Sequence, residues 1–305
     1  MSLSVFGSIG RDDITTPSGS VEGVVGGSAV YFSLAASLFT KVRLAANVGG
    51  DFPDEAWRVL RERGTDFAGL QVFADKKTFH WAGSYSGDMN EAETLVTDLN
   101  VLIEKPLVPD SYVDSKFLFL ANMAPETQLE ILGQFPDSIV FADTMNLWID
   151  IAREPLNELL SKVDGLILND AEARMLTGEQ NLIAAGAALQ KMGPKYVIVK
   201  KGEHGAFLFT PDERFGLLAY PVSKVVDPTG AGDSFAGGMM GALAAGQDMS
   251  AKAIHRAMAF GTVCASFTVQ DFSVKALESV SMAEIEQRFK ELGEFLSFSD
   301  EFACR

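Results

Sequence analysis

The sequence predicts an α/β protein with a mostly parallel sheet covered by helices on both faces. Short β-type runs alternate with longer helical patterns along most of the 305 residues. Runs such as Phe-Leu-Phe-Leu at 117–120 are apolar throughout, which is typical of strands buried on both faces. Two stretches, 11–25 and 71–100, interrupt the alternation with β-type runs and no intervening helix, and they predict a small second sheet.

The strand and helix patterns follow in chain order. Three pairs come first: 3–9 then 28–40, 42–48 then 54–64, and 117–121 then 126–134. Further strands, flanked by helical segments, are expected at 138–142, 165–168 and 196–200. Two more strands and three closing helices are expected near 206–210, 215–220, 233–245, 250–269 and 282–296. No linker or repeat separates the two sheets, so we expect a single domain over 1–305 with an antiparallel insertion.

The charge balance argues against several classes of partner. With 25 basic and 41 acidic residues, the net charge is −16. Nucleic acid and anionic lipid need basic patches, so neither is an expected partner. A phosphate-bearing ligand would instead have to be bound by a few groups at one site, such as backbone amides and lysine side chains.

The two cysteines and the N-terminal residues indicate a cytoplasmic protein. Cys264 and Cys304 form no Cys-x-x-Cys pair and no disulfide framework, which suggests a reducing compartment. The first ten residues lack the basic region of a signal peptide. The longest uncharged stretch, 23–40, begins with glycine and serine, so a buried loop and helix are expected there rather than a membrane span.

The segment Asp227–Asp233, which reads Asp-Pro-Thr-Gly-Ala-Gly-Asp, is the most informative in the chain. Glycines before a helix let the backbone turn sharply and expose the first amides, which with the helix dipole make an anion site. The Asp233 carboxylate at this site would repel a bound anion, so the site is not suited to anion binding alone. Asp233 can instead act as a base that takes a proton from an attacking hydroxyl, while the amides of 230–233 stabilise a transferring phosphoryl group. A favourably placed Asp at a helix start is the alternative.

These residues resemble a known family. Asp227–Phe235 matches the C-terminal signature of the ribokinase family, also called PfkB-type carbohydrate and nucleoside kinases, almost completely. Gly7-Ser8-Ile9 with Asp12, the pair Gly26-Gly27, and Val48–Asp51 resemble other segments of that family. The resemblance implies a three-layer ribokinase-like fold with a β-strand lid, and transfer of the γ-phosphoryl group of ATP, with Mg²⁺, to a sugar hydroxyl.

The resemblance also assigns residues to roles. Asp233 with Gly230, Ala231 and Gly232 would be catalytic, and Asp12 and Gly27 would bind the substrate. The resemblance also implies that Asp227 and Thr229 contact the nucleotide.

Asn169 and Glu172 are the predicted magnesium residues. They follow a strand, and their spacing places an amide and a carboxylate on one side of a first helical turn, where they suit hydrated Mg²⁺ near a triphosphate. The family's Asn-x-x-Glu motif has this position and role. A capping box is the alternative, because Asn at an N-cap with Glu three residues later has the same spacing. Their position after a strand, together with the anion loop, favours the magnesium interpretation.

The segment Val199–Ala206 resembles the family's nucleotide-binding turn. Gly202 and Gly205 would let the backbone approach the nucleotide. Lys200 stands where many relatives have Thr, and two interpretations stay open: a contact with nucleotide phosphates, or an ordinary charge at a strand end.

The second sheet would be the family's lid over the acceptor substrate. Trp81 and Phe79 are predicted to pack on a sugar ring or nucleobase, and Asp88 or Asn90 to bond hydroxyls. Burial in the core is the alternative for these aromatics. A nucleoside kinase is the alternative if Trp81, Phe79 or Tyr31 stacks on a base. Because lids in this family often pair, and exposed strand edges benefit from cover, we expect a homodimer through the lid.

The sequence departs from the family in two further places. Relatives usually have Asn two or three residues after the glycine pair, where this chain has Ala29-Val30-Tyr31. Relatives also often carry Ala-x-x-Ser-Val-x-x-x-Gly-Ala near the end, whereas Ala265–Ser273 lacks that Gly, which bears on the base pocket and on the monovalent cation site of some members.

Other functional classes have less support. No Gly-Lys pair is present for a P-loop, and no Gly-x-Gly-x-x-Gly follows a strand. The three histidines, His80, His204 and His255, lack metal-ligand spacing. A non-catalytic nucleotide- or sugar-binding regulator remains an alternative, although such a protein has no need of a base in an anion pocket.

Overall fold

The computed structural model describes residues 2–53 and 56–297, which form an α/β fold with two sheets. The strands in the described residues are β1 (Ser2–Phe6), β2 (Gly10–Thr16), β3 (Gly19–Gly26), β4 (Lys41–Gly49), β5 (Asp66–Phe73), β6 (Phe79–Tyr85), β7 (Ala92–Asp98), β8 (Phe117–Leu120), β9 (Ile139–Ala142), β10 (Gly165–Asn169), β11 (Tyr196–Lys200), β12 (Ala206–Phe209) and β13 (Arg214–Leu217).

The helices in the same residues are α1 (Ser28–Ala36), α2 (Ala56–Glu62), α3 (Pro125–Leu132), α4 (Asn146–Ile151), α5 (Arg153–Leu160), α6 (Asp170–Thr177), α7 (Leu182–Lys191), α8 (Ala231–Gly246), α9 (Ala251–Thr268), α10 (Lys275–Ser279) and α11 (Met282–Leu296). The short helix α10 has no counterpart in the sequence prediction. The predicted helix 54–64 is found as α2, and its first two residues lie outside the described residues.

The large sheet has nine strands in the order β13-β12-β11-β10-β9-β8-β1-β4-β5. The pairs from β11 to β5 are parallel, and β12 and β13 add an antiparallel edge. From β1 the chain first builds outward through β4 and β5, then returns to β8 and builds in the opposite direction. This reversal is a topological switch point, and ligands of open α/β sheets bind at the carboxyl ends of the strands there.

Two apolar cores lie on the two faces of the large sheet. One face packs against α1, α8 and α9, and the other against α3, α5 and α7. The apolar strand at 117–120 is buried at every position, as its sequence predicts, because alternate side chains enter the two cores. The predicted three-layer, mostly parallel architecture is therefore confirmed.

The second sheet has four strands in the order β3-β2-β6-β7 and corrects two sequence-based expectations. It is mixed rather than antiparallel, because β2 and β6 run parallel. The chain between these two strands passes through β3, α1, β4, α2 and β5, a crossover long enough to bring β6 in from the same end as β2. The predicted lid stretch 71–100 also begins too early, since Gln71–Phe73 completes β5 in the large sheet.

The second sheet is attached to the large sheet through the ends of β4 and β6. Asp51 Oδ1 accepts hydrogen bonds from the amide and the hydroxyl of Thr78, at 2.8 and 2.7 Å. A Cβ on Gly49 would lie 2.4 Å from backbone atoms of residues 76–78, so glycine permits this close contact. The segment Val48–Asp51 therefore positions the start of β6.

In the part of the chain that the structure describes, no helix has both the length and the apolar character needed to cross a membrane. Cys264 is buried as a free thiol, and Cys304 lies outside the described residues.

Candidate active site

Several predicted site residues, together with Asp143, lie at the carboxyl ends of the central strands. Asp143 follows β9, Asn169 ends β10 and Lys200 ends β11. Helix α8, whose first turn carries Asp233, packs on the face of the sheet that also carries α1 and α9. Lys200 lowers the pKa of the Asp233 carboxyl at that start, and Asp233 raises the pKa of Asp143, so the three groups lie close enough to interact electrostatically. The sheet topology thus joins residues that are far apart in sequence.

Helix α8 begins at Ala231, two residues earlier than predicted, after a tight turn at Gly230. Gly230 has a φ of 74° in the left-handed region, and a Cβ there would lie 2.4 Å from the Tyr31 ring, so only glycine fits. The Ala231 amide donates to the Pro228 carbonyl at 3.1 Å. None of the described residues accepts a hydrogen bond from the amides of Gly230 or Gly232.

Asp227 holds the loop in this conformation. Its carboxylate is buried, and Oδ1 accepts from the Thr229 amide at 2.9 Å while Oδ2 accepts from the Ser273 amide at 3.1 Å. Both oxygens are thus used to fix the backbone of the loop and of the segment that follows α9. A nucleotide contact by Asp227, which the family resemblance implies, stays a prediction.

Ser273 compensates for the missing glycine near the end of the chain. Its φ of 56° lies in the left-handed region that favours glycine. Besides the amide bond to Asp227, its hydroxyl donates to the Val25 carbonyl at 2.5 Å, and these two bonds offset the cost of the conformation. The backbone next to the loop therefore keeps a turn although the sequence lacks the expected Gly.

Asp233 is the carboxyl group at the loop, in the first turn of α8. Burial raises its pKa to about 6, against the lowering effect of Lys200 and of its own amide. A Cβ on Gly232 would lie 2.6 Å from Lys200 Nζ, so the ammonium group lies beside Gly232, whose amide has no partner among the described residues. A carboxyl with a pKa near neutrality, next to anion-binding groups, suits general base catalysis on a phosphoryl acceptor.

Asn169 and Glu172 form the capping box that was the alternative interpretation. The Asn169 amide donates to Glu172 Oε2, and the Glu172 amide donates to Asn169 Oδ1, both at 2.7 Å. The box nevertheless lies within the charged cluster: burial raises the pKa of Glu172, and Lys200 lowers it. The capping role and a magnesium role are therefore compatible, because Glu172 Oε1 takes no part in the box.

Asp143 adds a further buried carboxyl to the cluster. Burial raises its pKa well above the ordinary value, and Asp233 and Glu172 raise it further. Its Oδ1 has no partner among the described residues. The described residues gather no group of three acidic, His or Cys side chains that would cage a metal ion. This donor set suits a hydrated Mg²⁺ shared with a triphosphate rather than a protein cage.

Asp12 faces the same region from β2. The Gly26-Gly27 pair makes room for it, because a Cβ on Gly26 would lie 1.8 Å from Asp12 Oδ2. Gly27 has a φ of 100°, and a Cβ there would lie 2.5 Å from the Ser8 carbonyl oxygen. Burial, followed by the charges of Asp227 and Asp233, raises the pKa of Asp12 to about 8. Hydroxyl groups of a ligand would satisfy this carboxylate.

Trp81 lies on the lid face that carries Asp12. The two are register partners in the parallel β2–β6 pair, so their side chains project to the same side. The indole lies over Gly83, and its Nε1 donates to Thr94 Oγ1 at 3.3 Å. Of the three aromatics considered for stacking, Phe79 and Tyr31 are buried and Trp81 is half-buried. Trp81 is therefore the one of the three with surface to offer a ligand.

The lid touches the phosphate side of the site through residues that the sequence did not single out for this. Thr229 Oγ1 donates to the Tyr85 hydroxyl at 3.2 Å, which connects the end of β6 to the loop before α8. A Cβ on Gly202 would lie 2.0 Å from Asn90 Oδ1, so the lid tip packs on the predicted nucleotide-binding turn. Tyr85 belongs to no motif, and its place at the end of a lid strand was the only signal in the sequence.

Gly205 also has a packing role that the sequence did not predict. With a φ of 85°, it brings the turn against β13, and a Cβ there would lie 1.9 Å from the Leu217 carbonyl oxygen. This packing alone requires glycine. A backbone contact with nucleotide at Gly202 or Gly205 stays a prediction.

Comparisons with known proteins agree with this geometry. Residues 9–279 match the model of the pfkB family of carbohydrate kinases. A cytidine kinase of Thermococcus kodakarensis is 29% identical over 254 residues, which cover 82% of this chain and 91% of that protein. A ribokinase of Staphylococcus aureus is 28% identical over 235 residues, which cover 70% and 76%.

Among solved structures, aminoimidazole riboside kinase from Salmonella enterica, complexed with aminoimidazole riboside and an ATP analog, superposes with a TM-score of 0.77. The alignment has 18% identity and covers 95% of this chain and 100% of that one, so it supports the fold. Since the family model spans most of the sequence, the chain belongs to the pfkB family of carbohydrate kinases.

Proposed function

We propose that the protein is an ATP-dependent kinase that transfers the γ-phosphoryl group to a hydroxymethyl-type hydroxyl of a sugar or sugar derivative. The observation that carries this proposal is the arrangement at the start of α8, where Asp233 lies in the first turn, next to the Gly230 and Gly232 amides that have no partner among the described residues. Such a pair offers a proton acceptor and an anion-binding group at one place.

In the proposed reaction, the acceptor oxygen attacks the γ-phosphorus of ATP. A new O–P bond forms, the bond from the γ-phosphorus to the β,γ-bridging oxygen breaks, and ADP leaves. The proton of the acceptor hydroxyl passes to Asp233. The amides of Gly230 and Gly232, with the Lys200 ammonium, stabilise the negative charge on the transferring group.

Asn169, Glu172 and Asp143 are the residues proposed to hold Mg²⁺ through water. Bound there, Mg²⁺ would neutralise charge on the β- and γ-phosphates. Glu172 contributes Oε1, while its Oε2 keeps Asn169 and the start of α6 in position. Asp143 contributes an oxygen that is buried and has no partner among the described residues.

Asp12 and Trp81 are proposed to bind the acceptor. The buried Asp12 carboxylate accepts hydrogen bonds from substrate hydroxyls, and these donors favour its ionised form. Trp81 covers the sugar from the lid. A nucleoside acceptor is the second candidate, favoured by the half-buried indole, which could stack on a base, and by the extent of the match to a cytidine kinase.

We also propose a homodimer through the lid. The outer strand β7 presents Leu95, which is 59% exposed, and Val96, which is 39% exposed. A second lid would cover these side chains and the free edge of the strand.

The cytoplasmic location stays a prediction from the sequence.

A substrate panel tests the proposed function. Sugars and nucleosides, each with ATP and Mg²⁺, should include acceptors that release ADP, and phosphorylated product should form in equal amount. We expect turnover on sugars or sugar derivatives. Turnover on nucleosides alone would contradict the sugar assignment, and ADP release without any phosphorylated product would contradict the kinase assignment.

Replacement of the proposed base should remove activity and leave the fold intact. We expect Asp233→Asn to lower kcat by roughly 10²–10⁴-fold, the usual range for loss of a general base. The melting temperature should stay the same or rise slightly, because the variant no longer carries a buried ionisable group. Asp212→Asn, at an exposed position, is the matched control and should keep wild-type turnover. Full activity of Asp233→Asn would support a role for this residue in the helix start only.

The pH profile should report Asp233. The base acts when ionised, so kcat at saturating acceptor, whose hydroxyls keep Asp12 ionised, should fall as the pH drops below about 6, the pKa of the Asp233 carboxyl. Lys200→Met removes the positive charge that lowers this pKa, and should move the acidic limb to higher pH. Lys201→Met is the control: its Nζ lies 3.8 Å from the centre of the Phe207 ring, and the limb should not move. An unchanged limb in Lys200→Met would contradict this electrostatic coupling.

A further inference from the structure

Tyr31 is a buried group that the proposed reaction does not yet use. It lies on α1, 1% exposed, and its hydroxyl has no hydrogen-bond partner among the described residues. Buried tyrosine hydroxyls are normally paired, because an unpaired one is costly. The ring itself has a packing role beneath Gly230, but this contact does not involve the hydroxyl. A phenylalanine would support the loop equally well.

The surroundings of the hydroxyl are those of the acceptor region. Burial raises the pKa of Tyr31 well above its ordinary value. Asp12, Asp227, Asp233 and Tyr85 raise this pKa further, and Asp12 has the largest effect of the four. The phenol therefore stays neutral and remains a donor. None of these neighbours accepts its proton in a hydrogen bond, and the two oxygens of Asp227 are held by backbone amides.

We propose that the Tyr31 hydroxyl is a substrate-binding group, which donates a hydrogen bond to an oxygen of the acceptor held between Asp12 and Asp233. This inference rests on the proposed function. Carboxylates accept from substrate hydroxyls, whereas Tyr31 would supply a neutral donor for an oxygen such as a ring ether or a second hydroxyl. Acceptors that carry an oxygen next to the reacting hydroxymethyl group would be preferred over those that lack it.

The test compares Tyr31→Phe with the wild type in steady-state kinetics and in thermal unfolding without ligand. We expect KM for the acceptor to rise about 3- to 10-fold, the effect of one neutral hydrogen bond, with kcat changed less than about twofold. The melting temperature of the free protein should rise, because the variant removes an unpaired buried hydroxyl. A tyrosine with a purely structural role would give the opposite change in stability and no change in KM.

Tyr112→Phe is the matched control, because Tyr112 is equally buried but its hydroxyl is paired. It accepts from the Gly69 amide at 3.2 Å and donates to the Asp66 carbonyl at 2.8 Å, far from the candidate site. This variant should lower the melting temperature and leave KM unchanged. The contrast separates loss of a buried hydroxyl in general from loss of this one.

Deoxy analogues of the best acceptor identify the substrate oxygen. For the analogue that lacks the partner of Tyr31, wild type and Tyr31→Phe should have the same KM, since the interaction is absent from both. An unchanged KM of Tyr31→Phe on the parent acceptor, or a lower melting temperature, would overturn the inference while the kinase assignment stands. A wild type that phosphorylates no acceptor would overturn both.

Discussion

The site depends on one constraint: the first amides of α8 must stay exposed beside a carboxyl group. Exposed amides and a buried acid are both unfavourable for folding, so other residues must fix them. The Asp227 carboxylate fixes the loop by accepting hydrogen bonds from the Thr229 and Ser273 amides, and the Tyr31 ring packs against Gly230. Because Asp227 joins the loop to the segment after α9, and Tyr31 joins it to α1, the loop is built into the apolar core on that face.

The acids around this loop make the electrostatics of the site unusual. Burial raises the pKa of Asp12 to about 8 and that of Asp233 to about 6. A carboxyl whose pKa is raised by folding adds stability below its unfolded pKa, and this contribution is lost as the pH rises through its folded pKa. Near neutral pH the ligand-free site is therefore destabilising. Hydroxyl donors at Asp12 and cationic groups near Asp233, such as Lys200, relieve this cost.

Much of the fold could be predicted because its signals are local. Apolar runs marked the parallel strands, and the segment Asp227–Asp233 marked the turn before α8. Contacts between distant segments could not be predicted in this way. The parallel pairing of β2 with β6 depends on the crossover between them, and the bond from Thr229 to Tyr85 depends on where the lid rests. The two interpretations of Asn169 and Glu172 share one spacing, and the structure forms the capping box within the charged cluster.

A crystal structure with Mg²⁺ and a non-hydrolysable ATP analogue tests the central claim most directly. We expect the γ-phosphate to accept hydrogen bonds from the Gly230 and Gly232 amides, with the Asp233 carboxylate facing the position of the acceptor hydroxyl. A γ-phosphate bound away from these amides, or an Asp233 carboxyl closed off from the cleft between the lid and the large sheet, would contradict it.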